Sequence, residues 1–248
     1  MMRYISLVRN ISYWWLHFAV KMGFSFSDPL IFKARNNIII EVPIRLRHEF
    51  KEIFMERCYS KGITVEVPDQ PVIIDIGANI GLFSLFAASK FPGARIFSYE
   101  PIPVNFIQLK RNQDINKESR IICYQQAVSG SSGEIELHFD SSDSFTTSAS
   151  ITNGENQGDK IKVQCVTLPE IFRNNDIEHC DLLKIDCEGA EYDLLYNCSS
   201  EYLNLVTQMV VEVHEGKEEQ HNIKSLEEYL KSCEFNTKCM DNMLWAWR

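Results

Sequence analysis

Residues 71–81, Pro-Val-Ile-Ile-Asp-Ile-Gly-Ala-Asn-Ile-Gly, constrain this chain more than any other stretch. Val72, Ile73, Ile74 and Ile76 surround Asp75 with apolar, β-branched side chains, which suits a parallel strand buried on both faces. Gly77, Asn79 and Gly81 follow at alternate positions, and Leu82-Phe-Ser-Leu-Phe-Ala-Ala then has helical periodicity. The run predicts a strand, a tight turn and a helix N-terminus. Glycine at such a junction lets a ligand approach the backbone, because it has no Cβ and tolerates positive φ. The spacing D-x-G-x-N-x-G is not the G-x-G-x-x-G that seats a pyrophosphate on a helix end. A carboxylate before the first glycine would repel a pyrophosphate and suit a cationic amine, such as that of S-adenosylmethionine. A purely structural strand-turn-helix has the same pattern, so this run alone leaves both readings open.

A second strand follows in Ala94-Arg-Ile-Phe-Ser-Tyr and ends on Glu100, 19 residues after Gly81. A carboxylate at the tip of the second strand of a nucleotide-binding fold can accept hydrogen bonds from both ribose hydroxyls. Taken alone, Glu100 also fits a solvated strand-end acid. Its spacing from the glycine turn favours the ribose. Pro101 has no N–H to continue a ladder and stops the strand.

The rest of the chain alternates in the same way. Residues 103–116 read as a helix opened by proline and residues 120–124 as a third strand. Residues 133–139 alternate with period two, as a half-exposed antiparallel strand does, and residues 161–166 form another strand. Thr167-Leu-Pro-Glu170 fits a capping box. Residues 182–186 and 209–213 are inner strands too apolar to face solvent, residues 225–233 a helix, and residues 243–248 a final strand. The expected fold is a doubly wound, mostly parallel α/β sheet with an antiparallel final strand. Residues 69–248 form this domain. Residues 1–68 form an extension packed on it: a helix around residues 11–20, short strands about an Asn36-Asn37 turn, and a helix over residues 49–58. Residues 141–158, rich in Ser, Thr, Asn and Gly, read as a mobile lid or substrate loop. Asp75, Glu100, Asp186 and Glu212 all fall at or near strand ends, so such a sheet gathers them on one rim.

Composition narrows the partners. A net charge of −9 disfavours a large phosphate-binding surface, so no nucleic-acid duplex is expected. Basic residues between Arg35 and Arg57 are diluted by Glu41, Glu49, Glu52 and Glu56, which reads as a solvated face of mixed sign. The eight cysteines have no C-x-x-C spacing and match no zinc pattern. Cys123, Cys165 and Cys187 lie in or beside apolar runs, so free thiols in a reducing cytoplasm are expected. The aromatic run at residues 11–20 is about half the length needed to span a bilayer, and stable insertion is not expected. A helix docked on the domain or on the same helix of a second subunit is preferred, with a membrane-interface position as the alternative.

Residues 72–81, Tyr99-Glu100-Pro101 and residues 182–191, Leu-Leu-Lys-Ile-Asp-Cys-Glu-Gly-Ala-Glu, together resemble the FkbM family of S-adenosylmethionine-dependent methyltransferases. The K-I-D-x-E-G-x-E string is the most specific part, and the similarity runs from about Tyr59 to the C-terminus. The resemblance implies a Rossmann-like fold, S-adenosylmethionine as cofactor, and O-methylation of a hydroxyl on a sugar, natural product or related small metabolite. It places Asp75, Gly77, Asn79 and Gly81 in the cofactor loop, with Glu100 and Pro101 at the ribose. Ala127 and Val128, after Gln126, fall at the adenine, with Asp186 also bordering the cofactor. Tyr59 matches a tyrosine that closes over it. Pro169 departs from the family's usual aspartate, at a position that opens a helix.

A hydroxyl acceptor must lose its proton, so a general base is wanted. Asp186 is the candidate by position, and His214 by an intrinsic pKa of ~6.5. Glu188 is turned toward the pocket by Gly189. Glu191 either opens a helix or touches substrate. Lys184, inside an apolar strand, needs a carboxylate, and Glu212 on the next strand is the expected partner. Asp186, Glu212 and His214 could also take a divalent ion, but the resemblance does not require one and none is expected. An amino-methylating nucleic-acid methyltransferase would usually show an N-P-P-Y-like tetrapeptide where Asp186-Cys-Glu-Gly stands. A non-catalytic scaffold is opposed by the intact loop and Glu100.

Overall fold

The computed structural model describes residues 2–24, 26–56, 58–117, 120–139 and 159–248. The segment expected to be a lid, residues 141–158, lies outside them. Two short helices, α1 (Met2–Asn10) and α2 (Trp15–Lys21), stand where one was expected. The break has a local cause: Ile11 bridges Ala34, and the Ser12 amide donates to the Lys33 carbonyl at 2.7 Å, outside any helix. Strands β1 (Leu30–Lys33) and β2 (Ile39–Val42) pair antiparallel across Asn36 and Asn37, whose φ values of 53° and 61° are those an Asn-Asn turn supplies. Helix α3 (Arg47–Lys51) continues into a π-helical turn, Glu52–Glu56.

The core begins with β3 (Val72–Ile76), α4 (Leu82–Lys90), β4 (Arg95–Tyr99), α5 (Pro103–Ile115) and β5 (Ile121–Tyr124). Then β6 (Ala127–Val128), β7 (Gly133–Phe139) and β8 (Asp159–Val166) form a separate three-stranded sheet, ordered β6-β8-β7. The chain ends with α6 (Leu168–Asn174), β9 (Leu182–Ile185), α7 (Glu191–Tyr196), α8 (Ser200–Leu203), β10 (Gln208–Glu212), α9 (Ile223–Ser232), β11 (Asn236–Met240) and β12 (Met243–Trp247). The main sheet is ordered β11-β12-β10-β9-β3-β4-β5. Its β10-β9-β3-β4-β5 part is parallel, and β12 is antiparallel to both neighbours. The capping box forms at Thr167, and Pro169 sits in the first turn of α6, where an absent N–H costs no helical bond.

Each inner strand is buried on both faces. Ile73, Ile96, Leu182, Val210 and Trp245 point into one apolar cluster, shared with α4 and with Leu7, Phe32, Phe50 and Phe54 of the first sixty residues. Ile74, Phe97, Leu183, Val211 and Leu244 point into the other, shared with α6, α7, α8 and α9. This is the doubly wound arrangement that near-continuous apolar strands require. All eight cysteines are free thiols. No helix of the described residues is long and apolar enough to cross a membrane.

Candidate active site

The turn after β3 is built around backbone contacts. A Cβ on Gly77 (φ 71°) would lie 1.7 Å from the Asp186 carbonyl oxygen, so only glycine lets the ends of β3 and β9 meet. Asn79 adopts φ 50° and its Oδ1 accepts from the Ile80 amide at 2.7 Å, a local bond that suits asparagine to the left-handed region. The Asn79 amide donates to Glu100 Oε2 at 2.8 Å. Glu100 Oε1 accepts from the Ile102 amide at 3.0 Å and from Asn105 Nδ2 at 3.3 Å. Three donors fill part of a carboxylate that has about four acceptor sites, so room for a ligand hydroxyl remains. Burial pushes the Glu100 carboxyl up to about 7, against the pull of those bonds.

A cavity opens above this turn. Gly77, Asn79, Glu100, Pro101, Gln126, Ala127, Val128, Asp186 and Glu188 all line it. A second cavity adjoins it and shares Gly77, Asn79, Asp186 and Glu188. It continues along Glu49, Glu52, Tyr59, Lys184, Glu212 and His214. The two spaces therefore meet at the mouths of β3 and β9.

Ligand atoms of Asp186, Glu188 and His214 lie within 4.8 Å of one another beside that junction. His214 Nε2 is 3.5 Å from Glu188 Oε2, and His214 Nδ1 is 2.7 Å from Glu191 Oε1. Glu191 is fully buried in the first turn of α7, so its helix-opening position and its contact with the site coexist. Burial alone would lower the His214 imidazole. The hydrogen bond and charge of Glu191, with Glu188 and Asp186 behind them, outweigh it and push His214 up to about 9. Burial pushes Glu188 up to about 7, and His214 opposes the rise. Glu188 also holds φ 51° before Gly189, a strained backbone for glutamate of the sort that clusters at functional sites. An intrinsic imidazole pKa of ~6.5 is thus a poor guide here: the group poised near neutrality is Glu188, and His214 carries the charge.

Four expectations are corrected. Asp75 lines neither cavity: it is fully buried, its Oδ2 accepts from Ser84 Oγ at 2.6 Å, and its Oδ1 lies 3.4 Å from Lys184 Nζ. Gly81 also lines neither cavity: a Cβ there would meet Leu109 Cδ1 at 2.5 Å, and it opens α4 at φ 85°. Tyr59 is on the second cavity, not the first. Its hydroxyl is 2.9 Å from Asp186 Oδ2 and 3.0 Å from Glu212 Oε2, and its one proton can serve only one of them at a time. Lys184 is not paired by Glu212. Its Nζ lies 3.4 Å from Asp75 and 3.4 Å from Asp186, and donates to the Gly77 carbonyl at 2.7 Å. These carboxylates raise the lysine above its ordinary value although burial opposes them. Glu212 instead shares the Tyr59 hydroxyl with Asp186 and accepts from Asn242 Nδ2 at 2.9 Å.

Glu49 and Glu52 are not simply part of a solvated face: their i,i+3 spacing puts them on one side of a helix, and that side walls the second cavity. Asn105, one turn into α5, was missed as the clamp on Glu100.

The family model of the FkbM methyltransferase domain matches residues 75–237. Methyltransferase sdnD of Sordaria araneosa is 32% identical over 194 residues, covering 67% of this chain and 74% of that protein. The 31-O-demethyl-FK506 methyltransferase FkbM of Streptomyces tacrolimicus is 30% identical over 199 residues, covering 67% of this chain and 74% of its own. The solved structure of methyltransferase FkbM from Methylobacillus flagellatus KT superposes with a TM-score of 0.52 at 16% identity, a likeness of fold, over 76% of this chain and 46% of that one. With its doubly wound sheet and with the family match over residues 75–237, the chain belongs to the FkbM family of S-adenosylmethionine-dependent methyltransferases.

Proposed function

We propose that the cavity over Glu100 holds S-adenosylmethionine and that the adjoining cavity holds a small molecule whose hydroxyl is methylated. The observation that carries this is the meeting of the two spaces at Gly77, Asn79, Asp186 and Glu188. The FK506 methyltransferase among the relatives acts at an oxygen of a natural product, by its name, which supports O-methylation here. Glu100 takes the ribose hydroxyls, Pro101 borders them, and Ala127 and Val128 flank the adenine. Residues 1–68 serve as an extension that walls the acceptor side, and the setting is cytoplasmic.

Methyl transfer is an in-line displacement, so most of the rate comes from holding the acceptor oxygen against the methyl group. Asp186 is occupied by Tyr59 and Lys184, which suits it to fix the geometry of the junction. Glu188 takes the acceptor proton, and His214, held by Glu191, keeps the Glu188 carboxylate in place by its positive charge. The cavity wall carries Glu49, Glu52, Asp186, Glu188 and Glu212, so a neutral or cationic acceptor fits and an acidic one is repelled.

The test is incubation of the protein with methyl-labelled S-adenosylmethionine and a metabolite extract. Label is expected in methyl ethers of neutral or basic compounds; label confined to nucleic acid, or in no product, would overturn the proposal. A second reading has one observation behind it: ligand atoms of Asp186, Glu188 and His214 lie within 4.8 Å of one another, a set that could take a hard divalent ion. It differs from the sequence-derived set by Glu188 in place of Glu212. Activity that survives a chelator is expected of the proton-acceptor scheme, and loss restored by magnesium would favour the metal.

A further inference from the structure

The first 47 residues differ in charge from the rest of the chain. They hold seven Lys or Arg and two Asp or Glu, which leaves +5 there against −9 for the whole protein. One of the two acids, Glu41, is already taken by Arg111. Arg9, Lys33 and Arg35 are brought together where Ile11 bridges Ala34 and the Arg35 Nε donates to the Arg9 carbonyl at 3.0 Å. Lys21 closes α2.

Large apolar side chains stand exposed in the same region. Tyr13 is 48% exposed and Trp14 39%, on the turn that follows the Ile11 bridge, and Trp15, at the start of α2, is 51% exposed. Tyr13, Trp15 and Ile31 line one open groove with Phe26 and Leu30. Met22, seven residues after Trp15, is 71% exposed, and Phe24 is 61%. A soluble surface seldom gathers so much apolar area, and such a patch marks an interaction site.

We propose that this aromatic and basic face docks on an anionic lipid bilayer surface. Tryptophan and tyrosine prefer the headgroup level, where the ring is apolar and the N–H or O–H stays wet. Lysine and arginine beside them meet anionic headgroups, each contributing roughly fivefold to partition near such a surface. Docking of this kind needs no span, and α1 and α2, with nine and seven residues, are too short to form one. The charge decides against the other obvious occupant. An isologous contact between two copies would oppose this basic face to itself, whereas an anionic membrane complements it.

The full-length protein should therefore sediment with vesicles of phosphatidylcholine mixed with phosphatidylglycerol and stay in solution with phosphatidylcholine alone. Trp14→Ser with Trp15→Ser, and separately Lys33→Glu with Arg35→Glu, should each weaken the sedimentation at least tenfold. Retained S-adenosylmethionine binding serves as the control that each variant is folded. Three results would overturn the proposal: no sedimentation with anionic vesicles, equal sedimentation with both vesicle types, or a dimer in light scattering that the tryptophan variant dissolves.

Discussion

Replacing Lys184 by methionine should destabilise the protein by about 3–5 kcal/mol, the usual cost of removing one partner of a buried ion pair. Lys184 is 3% exposed and Asp75 is fully buried, so the substitution strands a carboxylate with only Ser84 left to solvate it. The lysine also binds the Ile76 and Gly77 carbonyls at 3.3 and 2.7 Å, so the end of β3 loosens with it. Urea melts of wild type and variant measure the difference. Asp75→Asn added to Lys184→Met should recover part of the loss, because the buried charge goes too. A Lys184→Met variant within about 0.5 kcal/mol of wild type, as for an ordinary surface change, would contradict this reading of the pair.

The second large effect is on turnover. Glu188→Gln should lower kcat by ~10²- to 10⁴-fold, the reach of general-base loss, while leaving cofactor affinity near wild type. In the wild type kcat should rise with pH through about 7. Below that value Glu188 is protonated and cannot accept the acceptor's proton; above it the carboxylate is free. The limb belongs to the Glu188 and His214 pair as a unit. Removing His214 takes away the charge that holds Glu188 down, so His214→Ala should move the limb to higher pH. An unchanged kcat in Glu188→Gln, or a limb that stays in place in both variants, would assign proton removal to another group.

The sheet was legible because its strands are apolar on both faces and its turns carry their own chemistry. The 71–81 run, the Asn36-Asn37 turn and the Thr167 capping box each formed where local residues dictated. Strand β11 was not legible: it is an exposed edge with no apolar alternation. The partner of Lys184 shows what a sequence leaves out. Glu212 and Lys184 share a face, but in the register Lys184 stands opposite Val210 on one side and Asp75 on the other. Parity was readable from the sequence and register was not. The same gap hid that Asp75 and Gly81 line neither cavity, since a strand-turn-helix pattern looks alike whether its residues face a ligand or the core. The positions of Glu49, Glu52 and Tyr59 on the acceptor side depend on how the first sixty residues fold back over the sheet, which no local pattern records.

The most direct test of the account is calorimetric titration of S-adenosylmethionine into the folded protein and its Glu100→Ala variant. Glu100 is held by Asn79, Ile102 and Asn105 at the rim of the first cavity, with acceptor capacity left for the ribose. The wild type should bind, and the variant should lose about 1.5–3 kcal/mol, roughly ten- to hundredfold in Kd. A folded wild type that shows no binding, or a variant that binds as tightly as wild type, would contradict the placement of the cofactor over Glu100.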